Sequence, residues 1–75
     1  MQLKELSVGS RFVFLDRKTA LVVIDEAGFR CPPTGVFTYM GVTEYVCPQL
    51  IEESTGKTLI VIESTYLRHV LPVLS

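Results

Sequence analysis

Seventy-five residues make one domain, 1–75, near the lower limit of independent folding. Apolar residues are 48% of the chain and charged ones 20%, with a mean hydropathy of +0.38 and a net charge of −1, which excludes a disordered chain, a charged tail and a low-complexity linker. Residues 1–30 sum to +1 and residues 31–75 to −2, without the strong positive balance of a nucleic-acid module.

Ten valines, four isoleucines and seven threonines stand against two alanines. β-branched side chains are stiff at χ1 and suit a pleated surface, whereas alanine favours helix. No apolar residues recur at i, i+3, i+4 and i+7 over three turns, so the expectation is an all-β chain. The longest apolar run, Ala20–Ile24, is far short of the roughly 20 residues of a membrane span. Met1–Leu6 has no apolar segment of the kind that drives secretion. With only two cysteines, the expected location is the reducing cytoplasm.

In chain order, Ser7–Ser10 is a turn around Gly9, and Arg11–Leu15 is a first strand with Phe12 and Phe14 on one face. Asp16–Lys18 connects it to a second strand, Thr19–Asp25, apolar on both faces through its centre. Glu26–Gly35, with two prolines and two glycines, is expected to be an irregular loop carrying Phe29, Arg30 and Cys31. Val36–Leu50 would span roughly 50 Å if extended and must break at Gly41 or Pro48. The expected third strand runs from Val36 to about Met40, bends at Gly41 and continues from Val42 to Cys47.

Gln49–Glu53 and Lys57–Glu63 then pair as a hairpin, with Gly56 supplying left-handed geometry in the loop Ser54–Gly56. Ser64–Tyr66 is a tight turn of 3₁₀ character before a last strand, Leu67–Val73, which Pro72 confines to an edge. This layout resembles the SH3-like small barrels, including their short turn before the last strand. The opening Leu3-x-x-Leu6-x-x-Gly9-x-x-Phe12 looks like the start of small uncharacterised bacterial and phage β-proteins. The fold implied is a small five- to six-stranded antiparallel SH3-like barrel.

Chemistry-bearing motifs are few. Gly56-Lys57-Thr58 ends like a phosphate-binding loop, but position 51 is isoleucine and the lysine opens a strand instead of a helix. Cys31, Cys47 and His69 are only three soft ligands, with 15 and 21 residues between them, so no metal is expected and free thiols are. His69 is the one histidine and sits among apolar neighbours, and a barrel this small is filled by its own side chains. The expected role is therefore non-enzymatic and without a cofactor.

A domain of this size buries only about 60% of its extended surface, so part of the apolar content must face outward. That favours a protein-binding module, through a partner protein or through self-association as a homodimer. The candidate surface is the long loop, Phe29, Arg30, Pro32 and Pro33, with Tyr39 and Tyr45 beside it. For self-association the candidates are Val13, Leu15, Val22, Ile24, Leu71 and Val73. The alternative is a nucleic-acid-binding barrel using Arg11, Arg17, Lys18 and Arg30.

Overall fold

The structure is a computed structural model in which residues 1–74 are described. Leu3–Glu5 form a 3₁₀ turn whose Leu3 is buried. β1 (Arg11–Phe14) then follows the expected alternation, Phe12 and Phe14 inward, Arg11 and Val13 half-buried on the outer face.

β2 is shorter than expected. It spans Leu21–Val23, after which Ile24–Glu26 turn as a 3₁₀ helix. Ala27 and Gly28 both take positive φ, 50° and 82°, and reverse the chain. The segment expected to be an irregular loop therefore begins with a strand, β3 (Phe29–Cys31), antiparallel to β2 with Val22 opposite Arg30. The prolines come only after Cys31, so they interrupt none of this ladder.

β4 (Phe37–Val42) shifts register between Tyr39 and Val42, where Gly41 has φ +99°. This is the expected bend, but the strand stops at Val42, and Thr43–Cys47 form a loop. Pro48 opens β5 (Pro48–Glu52), a first position where a missing N–H costs no ladder bond. β6 (Lys57–Ile60) makes the expected hairpin but ends before the expected Glu63, which opens the following 3₁₀ turn, and Gly56 at φ +73° is joined in the loop by Glu53. The 3₁₀ turn before the last strand is there, extended to Glu63–Leu67, and β7 (Val70–Pro72) is shorter than the strand expected.

Seven strands thus form two antiparallel sheets, one ordered β6-β5-β4-β1-β7 and the other β2-β3. The five- to six-stranded count is corrected to seven. β6 and β7 are the two ends of the larger sheet and do not pair, so its ladder does not close into a barrel. The core lies between its inner face and the smaller sheet. Phe12, Phe14 and Phe37 form its centre with ring centroids 5.2–6.0 Å apart, enclosed by Leu3, Leu21, Val23, Leu50, Leu59, Val61 and Val70. Edge-to-face aromatic packing adds to the stabilisation from burial alone.

Both ends of the larger sheet are blunted. At β7 the outward Val70 N–H donates to Met1 O (2.8 Å), and Pro72 has no N–H to offer. Beyond β6 the Ile60 N–H meets Asp25 Oδ1 (3.3 Å) and the Ile62 N–H meets Val22 O (2.9 Å). Such capping keeps a sheet edge from templating another strand.

Candidate functional site

One loop is held outward by a single threonine. The Thr43 N–H donates to Cys47 O (2.9 Å), and its Oγ1 accepts the N–H groups of Tyr45 and Cys47, both at 3.2 Å. The Val46 N–H donates back to Thr43 O (3.0 Å). Tied in this way, the loop presents Tyr45 at 74% exposure and holds Val46 at φ +61°. A β-branched residue in the left-handed region is an outlier that costs about 1–2 kcal/mol, and such strain concentrates at functional sites.

A groove lies on either side of the loop. Val46, Ile62, Glu63, Ser64, Tyr66 and Leu67 line one of about 480 Å³. Tyr45, Ile24, Asp25, Thr43, Glu44, Cys47 and Ile60 line the other, about 460 Å³. Asp25, Glu44 and Glu63 are the charged residues of the two linings, and no lysine or arginine joins them. Behind the first groove, the Tyr39 hydroxyl donates to that of Tyr66 (3.0 Å). Burial, and then its bond to Tyr66, raise the Tyr39 phenol above its ordinary range.

The residues nominated from sequence separate. Phe29 is exposed with the Lys57 ammonium 5.6 Å above its ring, and Lys57 is ion-paired with Glu26, a bond that raises its pKa. Arg30 and Pro32 are exposed beside it along the chain. Pro33 and Tyr39 are buried, so neither offers a contact surface. Tyr39 shares an inward face with Phe37, a spacing of two that the sequence displays. Tyr45 lies in the groove loop. Of the six self-association candidates, none is buried: Leu15, Ile24 and Leu71 are exposed, and Val13, Val22 and Val73 half-buried.

Two of the four nominated basic residues, Arg11 and Arg17, are engaged. Arg11 Nη2 bonds both carboxylate oxygens of Glu53, at 2.7 and 2.9 Å, and Arg17 donates to Thr34 O. Arg30 lines a third concavity of about 290 Å³ with Asp16, Thr19, Ser64 and Arg68. Arg68 is a residue sequence reasoning missed. Its guanidinium donates to the carbonyls of Asp16, Thr19 and Ala20 at 3.3, 2.7 and 3.4 Å, and lies 5.0 Å from the Phe14 ring centroid. It ties the β1–β2 connection to the start of β7. Asp16, whose Oδ1 accepts the Lys18 N–H at 2.9 Å, has its carboxyl lowered by that bond first.

Cys31 and Cys47 are free. Burial, and then the Glu52 carboxylate beside it, push the Cys31 thiol up to about 11, which leaves it protonated and unreactive at neutral pH. Among the described residues no three His, Cys, Asp or Glu side chains are grouped to hold a metal ion, and no helix is long and apolar enough to cross a membrane. No family model, curated protein or solved structure matches the chain.

Proposed function

We propose that the chain is a non-enzymatic binding module that takes an apolar, positively charged segment of a partner protein into the two grooves flanking Thr43–Cys47. The observation that carries this reading is the joint presence of apolar lining and exclusively acidic charge around a strained, self-tied loop. A loop already held in shape loses little conformational freedom on binding, and an exposed tyrosine supplies contact area at low entropic cost. An acidic rim attracts lysine or arginine and repels acidic partners. The neutralisation of Arg11 by Glu53 and the net charge of −1 favour this reading over nucleic-acid binding by Arg11, Arg17, Lys18 and Arg30.

An SH3-like architecture is part of the proposal. It is supported by the strand order β6-β5-β4-β1-β7, by the hairpin β2–β3 inserted between β1 and β4, and by the 3₁₀ turn just before β7. A cytoplasmic setting fits the two free thiols.

The test uses amide chemical shifts of the intact chain titrated with short peptides that share an apolar sequence but carry lysines, glutamates or no charge. Shifts concentrated at Tyr45, Val46, Ile62 and Leu67, strongest for the lysine peptide, are expected. Equal response to the glutamate peptide would overturn the charge argument. Salt-dependent binding of mixed-sequence single-stranded DNA or RNA, with shifts at Arg17, Lys18 and Arg30, would replace the whole reading.

A further inference from the structure

We propose that the outer face of the larger sheet, over β7, β1, β4 and β5, is a docking surface for a second copy of this chain, independent of the grooves. Strand parity puts the relevant side chains together. In β1 and β7 the residues facing away from the core include Val13 and Leu71, directly paired across the ladder. Leu15, whose N–H meets His69 O, and Val73, whose N–H meets Arg11 O, extend the same two rows. Thr38 pairs with Arg11 on one side and Ile51 on the other, and Val36, whose carbonyl accepts the Glu53 N–H, shares that outward parity. Leu15 and Leu71 are 56% and 55% exposed, and Val13, Val36, Ile51 and Val73 are half-buried.

Charge selects the occupant. The face carries one cation and one anion, Arg11 and Glu53, already bonded to each other across β4, with His69 at the margin. It is therefore neutral and self-complementary. Under a two-fold axis, Arg11 of each copy can exchange its own Glu53 for that of the other, so a second copy keeps both charges paired where a strongly charged partner would leave one opposed. The grooves, with only acidic charge, would repel their own image. The blunted ends of the sheet leave face-to-face packing as the geometry of self-association.

Area sets the strength. Four strands about 4.8 Å apart and five residues at about 3.3 Å each give roughly 300 Å² of projected surface per copy. That matches the largest patches of ordinary monomers and falls below the roughly 800 Å² per partner of a standard interface. An interface of that size belongs with the weak, transient associations.

Sedimentation equilibrium of the chain alone, from about 10 μM to 1 mM, should show the mean mass rising from 8.4 kDa towards twice that value. Leu71→Glu, at an exposed position, should weaken association by at least about tenfold. Its amide spectrum should stay dispersed, and its response to the lysine peptide should be that of the unaltered chain. Arg11→Glu and Glu53→Arg should each self-associate more weakly, and an equimolar mixture of the two should form a heterodimer at concentrations where each alone is monomeric. A constant 8.4 kDa up to about 1 mM, indifference to Leu71→Glu, or a mixture no tighter than its components would each overturn the proposal. None of these outcomes bears on the grooves.

Discussion

The grooves and the outer sheet face expose apolar side chains to the same solvent, yet they are built by opposite means. The face is regular backbone in which parity alone decides what points outward, and its two charges neutralise each other. The grooves depend on a loop that departs from regular geometry, with Val46 in the left-handed region and three acidic residues around it. Regular structure presents an apolar surface at no conformational cost but with little discrimination. A strained, tied loop costs stability and in return fixes the position of specific groups.

The largest change expected should erase the distinction. Phe37→Ala removes the ring that touches both Phe12 and Phe14, and should cost about 3–5 kcal/mol by denaturant titration, abolishing peptide binding and self-association together. Survival of either would mean that its surface does not depend on the shared core. Arg68→Ala should cost about 2–3 kcal/mol, since three carbonyls lose a charged donor and Phe14 loses its cation. Lysine should not restore it, because a single ammonium cannot reproduce the guanidinium fork. A loss of less than about 0.5 kcal/mol would reduce the clamp to an ordinary surface contact.

A smaller effect of opposite sign separates the two surfaces. Val46→Asn places a residue tolerant of left-handed geometry where valine is strained, and should raise stability by roughly 0.5–1 kcal/mol. It should weaken the lysine peptide and leave the dimer unchanged. A variant that gains stability and binds equally well would show that the strain serves no binding role.

At neutral pH the smallest effect belongs to Cys31, which lines neither surface. A thiol raised from 9.0 to about 11 holds its proton more tightly in the folded chain than in the unfolded one. Its contribution is complete below pH 9 and is lost as pH rises from 9 towards 11. Tyr39, raised in the same direction, extends the loss. Urea midpoints should therefore fall above pH 9, and less steeply in Cys31→Ala. Alkylation of Cys31 at pH 8 should run at least about tenfold slower in the folded chain than in urea, because its raised pKa leaves less thiolate. Equal rates would place the thiol in solvent.

Much of the fold was legible because it follows from local rules. The pairing of Phe12 with Phe14 on one face, the left-handed Gly56, the bend at Gly41, the 3₁₀ turn and the edge position of Pro72 each need only a few neighbouring residues. β3 was missed because the prolines of the segment Glu26–Gly35 outweighed its Ala27-Gly28 turn, although they fall beyond Cys31. Tyr39 and Pro33 were expected at the surface, where aromatics and prolines on loops often act. Tyr39 instead continues the inward face of Phe37. Arg68 gave no local sign of its role, since its partners lie 48 to 52 residues earlier in the chain.

The sequence by itself determined an all-β chain with more apolar residues than one small core can enclose, and the strand parity that orders them. Backbone stereochemistry and the alternation of side chains act over a few residues, so both can be read along the chain. Which surfaces that excess would form was decided only by the tertiary structure. The grooves require Ile24, Tyr45, Val46, Ile62 and Leu67 to meet, and the outer face requires β7 to lie beside β1. Those meetings are set by long-range packing around the three phenylalanines, a contact energy that local pattern does not encode.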